Sequence, residues 1–219
     1  MFHVEQAISP SLLLQESSAE IGVPLSTEQV QRFMVYLEQL QLWNQSFNLT
    51  RITLDDEIII KHFVDSLAAL KADEIMVGAS LLDVGTGAGF PGIPLKIARL
   101  DLNITLVEPA KKKSSFLHFI VGLLRLENVD IFDGSLERFM NEHLPYGSFD
   151  YLTTRALKQD LILRDGTKLL RQGGKAILYS SQPIPRSDLS DNWLLMSEYA
   201  FQLRKGYGKR VISIATPRK

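Results

Sequence analysis

The sequence predicts an α/β fold whose main part is a mostly parallel seven-stranded sheet with helices on both faces. Three observations predict it. Apolar residues recur every three or four positions through the first eighty residues; from residue 81, short apolar runs alternate with helix-like segments; and near the C-terminal end two strand-like runs flank a glycine-rich turn. Strands that alternate with helices are typical of a parallel sheet, and closely spaced strands are typical of a hairpin. We therefore expect an N-terminal helical cap and a C-terminal antiparallel hairpin.

The N-terminal segment is predicted to contain three helices. The first begins at Leu12 and stops near Gly22 and Pro24. Ser26 and Gln29 have the spacing of a capping box, which marks the start of a second, longer helix. Its apolar face consists of Val30, Phe33, Met34, Leu37, Leu40 and Trp43. Turn formers at residues 47–50 end this helix, and a third helix spans residues 57–70.

The predicted domain boundary lies just before the first strand. The helical lead-in has no strand–helix–strand pattern of its own, so we expect residues 1–78 to form a cap that packs on a main domain of residues 79–219. No internal repeat or low-complexity linker interrupts either part.

A glycine turn follows the first predicted strand, residues 81–85, and opens a helix. Gly85, Gly87 and Gly89 permit positive φ and allow a ligand to lie against the backbone. The dinucleotide-binding pattern requires a third glycine at the position of Phe90, where the helix packs on its strand, and phenylalanine is too large for that position. The G-x-G-x-G spacing after an aspartate resembles the first motif of S-adenosylmethionine-dependent methyltransferases. The alternative is a loop that only turns the chain.

The remaining elements follow in regular alternation. The predicted strands are residues 104–108, 129–132, 149–154 and 176–179, with residues 195–203 and 211–216 as the final hairpin. The predicted helices are residues 93–100, 112–126, 136–141 and 160–170. In a parallel sheet of this type, ligands bind at the carboxyl ends of the strands.

Polar side chains occur at three of these strand ends. Glu108 ends the second strand, where a carboxylate can accept hydrogen bonds from ribose hydroxyls; its alternative role is to complement the dipole of the helix that follows. Residues 133–137 follow the third strand, where adenine is expected, and they are equally compatible with a turn and helix cap. Arg155 ends the fourth strand over the same edge and can pair with a carboxylate or phosphate; otherwise it is a surface charge.

Composition excludes several classes of chemistry. The chain has no cysteine, and His3, His62, His118 and His143 lack metal-ligand spacing, so we expect no metal. No serine lies in a G-x-S-x-G elbow, and no phosphate-binding G-x-x-x-x-G-K-[ST] loop is present. We find no signal peptide and no apolar run of membrane-spanning length, so we expect a cytoplasmic protein.

The charge is unevenly distributed. The net charge is −1, but residues 1–80 contain 4 basic and 11 acidic residues, a balance of −7, whereas residues 81–219 contain 20 and 14, a balance of +6. An overall basic charge, the usual mark of a nucleic-acid-binding protein, is therefore absent, although a local basic face would suffice. The lysine run at 111–113 is compatible with RNA contact or with a solvated helix start.

Several segments together resemble the glucose-inhibited division protein B family, which methylates guanine N7 in small-subunit ribosomal RNA. They are Trp43-Asn44 with Phe47-Asn48-Leu49-Thr50, His62-Phe63-Val64-Asp65-Ser66, the run from Asp83 to Leu95, Lys113 to Leu117, Glu137, and Arg155-Ala156. The resemblance covers roughly residues 25–180 and implies a Rossmann-like class I methyltransferase fold that binds S-adenosylmethionine. Its implied partner is small-subunit (16S) ribosomal RNA or the assembled small subunit, and we expect a monomer.

The resemblance also implies a set of site residues. The cofactor-binding residues are Asp83, Gly85, Thr86, Gly87, Gly89, Phe90, Glu108, Ser135, Leu136, Glu137 and Arg155. The residues expected near methyl transfer, on the face between cap and cofactor, are Arg155, Asn48, His62 and Asp65. Two positions depart from the pattern: Ser135 replaces an arginine that is frequent in relatives, and Ser180-Ser181 replaces a frequent Lys-Gly pair.

The implied reaction explains why no catalytic dyad is evident. Guanine N7 has an in-plane lone pair, so no base must remove a proton before attack, and the protein mainly has to align the reactants. Two other hypotheses remain open from the sequence. One is a non-catalytic module that binds S-adenosylmethionine or RNA; the other is a nicotinamide-dependent oxidoreductase, against which Phe90 argues.

Overall fold

A computed structural model describes residues 8–143, 146–155, 159–185 and 189–218. Its seven strands are β1 (Ser80–Val84), β2 (Asn103–Val107), β3 (Val129–Phe132), β4 (Phe149–Arg155), β5 (Leu170–Ser180), β6 (Trp193–Gln202) and β7 (Lys209–Pro217). They form one sheet in the order β3-β2-β1-β4-β5-β7-β6. β7 pairs antiparallel with both β5 and β6, whereas every other pair is parallel. The predicted mixed sheet with its C-terminal hairpin is confirmed.

The helices precede and connect these strands. They are α1 (Pro10–Glu20), α2 (Thr27–Phe47), α3 (Asp55–Ile58), α4 (Asp65–Leu67), α5 (Ala69–Ala72), α6 (Gly92–Ala98), α7 (Lys111–Leu123), α8 (Leu136–His143) and α9 (Gln159–Leu169). The predicted capping box of α2 is present: Ser26 Oγ accepts from Gln29 N at 3.2 Å, and Gln29 Oε1 accepts from Ser26 N at 2.8 Å. Gln29 also donates to the Ala98 carbonyl at 2.8 Å, which ties α2 to the end of α6.

The predicted third helix is not a single α-helix. A π-helical segment, Ile59–Val64, separates α3 from α4. π-helical turns are rare and occur frequently at functional sites, because they change the direction of side chains and carbonyl groups within a helix. The apolar spacing of residues 57–70 identified a helix here but could not distinguish the wider turn.

Strand β5 begins earlier than the sequence indicated. The prediction placed a helix to residue 170 and a strand from residue 176, but α9 ends at Leu169 and β5 starts at Leu170. A bulge explains the difference, since Phe149 pairs with Leu170 whereas Tyr151 pairs with Lys175. Gly173, with a φ of 80°, lies in this bulge and had the appearance of a turn residue.

The two faces of the sheet are covered differently. Leu81 packs in a core formed with the N-terminal helices, to which Phe33 and Phe63 belong. Leu82, its neighbour on β1, points to the opposite face and packs in a second core with residues of α8 and α9. This alternation is the two-residue period of a strand. The N-terminal helices thus cover one sheet face, as the term cap implies, while the division at residue 78 remains a prediction.

Opposite charges meet where the cap contacts the turn between β6 and β7, residues 203–208, and the start of β7. The ion pairs are Arg204 with Glu16 and Glu20, Lys205 with Asp56, and Arg210 with Asp65. The acidic balance of residues 1–80 and the basic balance of the remaining chain are therefore partly matched within the molecule. Among the described residues, no helix has the length and apolar character needed to cross a bilayer.

Candidate active site

The glycine turn forms a tight loop held by a buried aspartate. Gly85, Gly87 and Gly89 have φ values of 67°, 66° and 107°, the left-handed region that favours glycine. Asp83 Oδ2 accepts from Thr86 Oγ1 at 2.6 Å and from Gly92 N at 2.8 Å, so this one oxygen fastens both ends of the loop. Burial raises the pKa of Asp83 to about 6, although these two hydrogen bonds oppose the shift.

Close packing of helix on strand occurs at Gly92 and not at the position of Phe90. A Cβ atom added at Gly92 would lie 2.4 Å from Leu106 Cδ2 and 2.9 Å from Asp83 Oδ2, so a larger residue would require these two side chains to move. Phe90 instead faces the cap and stacks on His62 with ring centroids 4.4 Å apart. In this loop, Gly92 is therefore the small residue that lets the helix pack closely on the strand, a role that the dinucleotide-binding turn gives to the position of Phe90.

Glu108 joins the ends of two neighbouring strands. Its Oε2 accepts from Gly87 N at 2.8 Å, and its Oε1 accepts from Ala110 N at 3.0 Å. Ala110 directly precedes α7, so Glu108 contacts the start of this helix with one carboxylate oxygen and the glycine loop with the other. A carboxylate has about four acceptor sites, which leaves roughly two for other donors such as hydroxyl groups.

Residues 135–137 follow β3, whose last residue, Phe132, accepts a hydrogen bond from Glu108 N at 3.1 Å. Ser135 Oγ accepts from Arg138 N at 3.2 Å and so caps the start of α8. Leu136 is buried, whereas Glu137 is exposed and its carboxylate is 3.5 Å from the Arg164 guanidinium. The cap expected from the turn motif is present, and the adenine-contacting role of these three residues remains a prediction.

Arg155 extends from the end of β4 into the π-helical segment. Its Nη1 donates to the Lys61 carbonyl at 3.1 Å and to the His62 carbonyl at 3.4 Å, and it is 3.5 Å from Asp65 Oδ2. The guanidinium carbon is 5.1 Å from the centroid of the Phe90 ring, a cation–π distance. The structure therefore brings together Arg155, His62, Asp65 and Phe90. Ala156, the second residue of the Arg155-Ala156 motif, is outside the described residues.

His62 is held in one protonation state by its neighbours. Arg155 Nη2 contacts His62 Nδ1, and because a guanidinium can only donate, Nδ1 must accept. Nε2 therefore carries the proton and donates to Thr50 Oγ1 at 3.0 Å. Burial, followed by the positive charge of Arg155, lowers the pKa of His62, which agrees with a neutral ring. With both nitrogens occupied, His62 orients Arg155 and has no free lone pair.

Asp65 lies between two guanidinium groups. Its Oδ2 is 3.5 Å from Arg155 Nη1, and its Oδ1 is 3.5 Å from Arg210 Nε. Burial raises the pKa of Asp65, and the two arginines oppose that shift. A pocket of about 270 Å³ opens beside this triad, between the cap and the ends of β4 and β5. We call it the arginine pocket; Lys61 and Ser180 also line it.

Asn48 lies apart from this group. It is the C-cap of α2 in the left-handed conformation, with φ 51°, and its side chain is exposed. It lines a separate cleft of about 910 Å³ that Thr50 and Lys113 also line. Asn48 therefore reaches the His62 cluster only through the short segment that ends at Thr50.

Sequence reasoning did not identify three residues that organise the site. Tyr36 of α2 is buried and donates to the Ala88 carbonyl of the glycine loop at 2.5 Å. Thr50 fixes the tautomer of His62, and Arg210 pairs with Asp65. Thr50 belongs to a quoted motif, so it could have been found, whereas Tyr36 and Arg210 gave no local signal because their partners are distant in sequence.

The arrangement is suited to binding a nucleoside at the sheet edge and a second molecule beside it. A Cβ atom added at Gly87 would meet nothing within 4 Å, so the loop presents open space at its centre. Within the part of the chain that the structure describes, no group of three His, Asp or Glu side chains is placed to hold a metal ion.

The fold and its strand order define the structural class of the protein. Structures with this fold include TrmN from Thermus thermophilus, with a TM-score of 0.57 and 15% identity over 73% of this chain and 53% of that one. A SAM-dependent methyltransferase from Aquifex aeolicus has a TM-score of 0.51 and 15% identity over 73% and 92% of the two chains. The protein therefore has the Rossmann-like fold of class I methyltransferases.

The family follows from sequence comparison. The GidB family model, described as rRNA small subunit methyltransferase G, matches residues 29–189, and the chain belongs to this family. The chain is 41% identical to ribosomal RNA small subunit methyltransferase G of Clostridium beijerinckii over 70% of its length and 64% of the relative's. It is 36% identical to that of Caldanaerobacter subterraneus over 78% and 72%. It thus spans slightly less than two thirds of the first relative.

Proposed function

We propose that this protein transfers a methyl group from S-adenosylmethionine to N7 of a guanine in small-subunit ribosomal RNA. Its family membership supports the reaction and the substrate. The observation that carries the proposal is the loop of three left-handed glycines, with Glu108 on one side and Arg155 on the other. Such a constellation can hold a cofactor and a target base at one sheet edge.

The residues fit S-adenosylmethionine. The open space above Gly87 is one that a side chain would fill, and this is the property expected of a loop that carries a ligand on its backbone. Glu108 keeps acceptor capacity for two ribose hydroxyls while its existing bonds fix its orientation. Ser135, Leu136 and Glu137 are then the adenine side of the site, next to Glu108.

The bound cofactor supplies an electrophilic methyl group on a sulfonium ion. The chain's own residues have to align the acceptor, since guanine N7 carries a lone pair and no proton must be removed. Neutral His62 agrees with this requirement because its lone pair is already occupied by Arg155. Phe90, which contacts both the His62 ring and the Arg155 guanidinium, forms a rigid wall at the point of transfer.

The substrate guanine should be unpaired or displaced from a helix. In A-form RNA, N7 lies in a deep, narrow groove that protein side chains cannot enter. We propose ribosomal RNA, free or in the assembled small subunit, as the partner of a monomeric cytoplasmic enzyme. Asn48 lies in the large cleft beside the His62 cluster, and we assign it to the substrate side of the site.

The decisive measurement is mass mapping of small-subunit RNA from cells with and without the protein. A guanine that loses one methyl group only when the protein is absent is the expected result. If every guanine keeps the same mass, the protein is a binding module and not a transferase. Binding of S-adenosylmethionine but not of a nicotinamide nucleotide, in calorimetry, separates the transferase from an oxidoreductase.

Arg155 provides the test of catalysis within the chain. Arg155→Ala should lower methylation at least about a hundredfold, because His62 loses its partner and Asp65 keeps only Arg210. S-adenosylmethionine affinity should change much less, since Glu108 and the glycine loop remain. Arg155→Lys should rescue part of the activity, because it keeps the charge but not the planar fork. Full activity in Arg155→Ala would remove this residue from the transfer site, and equal loss of both readouts would assign it to the cofactor.

A further inference from the structure

The three cations that line the arginine pocket are engaged by the chain in different ways. Lys61 is engaged by Glu57, whose carboxylate is 2.6 Å from its Nζ. Arg155 is turned toward the cap. Arg210 is different: its Nη1 donates to the preceding backbone carbonyl at 2.9 Å, and its Nε faces Asp65. Its Nη2 makes no hydrogen bond to any of the described residues.

The pocket is positively charged and partly closed to water. Its lining contains three cations, Lys61, Arg155 and Arg210, against the single carboxylate of Asp65. The Arg210 side chain is 24% exposed, so its charge is only partly screened by solvent. Asp65, which is buried, forms an ion pair with Arg210 Nε at 3.5 Å, and both residues line the pocket.

Position in the sheet places this pocket beyond the cofactor. β7 is three strands away from β1 in the sheet order, a separation of about 14 Å at the usual strand spacing. The glycine loop follows β1, whereas Arg210 is at the start of β7. Arg155, in contact with Phe90, forms the wall between the two regions. A ligand that contacts Arg210 is therefore a neighbour of the group bound at the loop.

We propose that Arg210 is a substrate-positioning residue that binds an RNA phosphate next to the target guanine. A planar guanidinium held by a carboxylate is preorganised for two parallel hydrogen bonds to phosphate oxygens. This inference rests on the proposed function, because it assumes that RNA is the substrate. It adds a residue outside the predicted site, together with the chemical group that the residue recognises.

The test is the salt dependence of RNA binding, with unmodified small-subunit RNA as the probe. Arg210→Gln should raise the Kd for RNA at least about tenfold at 0.1 M salt. The slope of log K against log salt should become less steep by about 0.7, the value for one phosphate of a single strand. Arg210→Lys should restore the slope but only part of the affinity. The Kd for S-adenosylmethionine should not change in either variant.

Arg204→Gln is the matched control. Arg204 is also a cation near the β6–β7 turn that pairs with cap acids, but it does not line the pocket. It should leave the slope unchanged. If Arg210→Gln behaves like Arg204→Gln, or if it weakens S-adenosylmethionine binding and not RNA binding, the inference is overturned. Because binding is measured without methylation, a failure of the proposed reaction in the wild type remains a separate result.

Discussion

Gly87 and Gly78 have nearly the same backbone conformation but occupy very different places. Their φ values are 66° and 70°, and an added Cβ atom would touch nothing within 4 Å at either position. Gly87→Ala and Gly78→Ala should each lower the free energy of unfolding by about 1–2 kcal/mol, the cost of a left-handed alanine. Only Gly87→Ala should also weaken S-adenosylmethionine binding, by at least tenfold, because its methyl group would occupy the ligand's space. Calorimetric affinities that are equal for the two variants would contradict the loop assignment.

Asp83 should make stability depend on pH. Its pKa in the folded protein, about 6, is above the ordinary value of 3.8, so the folded state binds the proton more tightly than the unfolded state. This group's contribution is therefore most favourable below pH 4 and is lost as pH rises through 6, a change of about 3 kcal/mol.

The isosteric Asp83→Asn variant isolates this effect. The difference in unfolding free energy between wild type and variant should move by most of that amount, in favour of the variant, between pH 4 and pH 7. Urea unfolding across this range measures it, and other titrating groups such as His62 cancel in the comparison. A difference that does not change with pH would mean that the pKa of Asp83 is not raised in the folded protein.

The limits of sequence reasoning are clearest at single residues. The glycine spacing after Asp83 predicted the left-handed loop, because only glycine adopts that conformation cheaply. The dinucleotide-binding motif requires a small residue at the position of Phe90, where its helix packs on the strand. In this protein that small residue is Gly92, two positions later, and the sequence did not indicate it. Close approach is a property of the neighbouring strand, which the local sequence does not contain.

At the scale of elements, α2 supports the glycine loop directly. Tyr36 donates to the Ala88 carbonyl, and Tyr151 of β4 donates to Asp73 at 3.0 Å at the opposite edge of the sheet. Tyr36→Phe should lower the free energy of unfolding by about 1–2 kcal/mol, because the buried Ala88 carbonyl loses its donor. Tyr151→Phe should lower it by less, because Lys175 still donates to Asp73. Tyr36→Phe alone should weaken S-adenosylmethionine binding. Equal affinities in the two variants would show that α2 does not position the loop.

The elements themselves were predicted with few errors, and the errors have physical causes. Apolar periodicity located every strand and the principal helices, since burial of one face requires that spacing. It could not distinguish an α-turn from the π-helical turn at residues 59–64, because nearly every side chain in this segment is buried and no single apolar face reveals the number of residues per turn. It also missed the first half of β5, where Gly173 and Gly174 form a bulge rather than a turn.

At the scale of the whole molecule, charge ties the cap to the C-terminal hairpin. Arg204 Nη1 is 2.6 Å from Glu16 Oε2, and both side chains are partly exposed. Arg204→Glu should lower the free energy of unfolding by about 1 kcal/mol, since three acids would then meet at one place. The double variant Arg204→Glu, Glu16→Arg should recover most of this loss. Denaturation midpoints at low salt measure both, and the absence of recovery would indicate that this pair does not contribute to docking.

The opposite charges of the two halves could be counted from the sequence, but their pairing could not. A local count cannot show that acids near residue 16 or 56 face cations near residue 204, because those contacts arise only when the sheet orders its last strands. For the same reason the motifs pointed to Arg155, His62 and Asp65, which the structure brings together, but not to Arg210 beside them; the role of these residues in methyl transfer remains a prediction.

The contact between cap and hairpin also has a consequence for synthesis of the protein. Lys205 meets Asp56 across 149 residues of chain. At a translation rate of about 5–20 residues per second, roughly 7–30 s pass between the synthesis of Asp56 in the cap and that of Lys205 in the β6–β7 turn. During that interval its apolar face lacks part of the sheet that will cover it. The nascent chain is therefore expected to need shielding by a chaperone, and the arginine pocket, which Arg210 lines, is completed late in the growth of the chain.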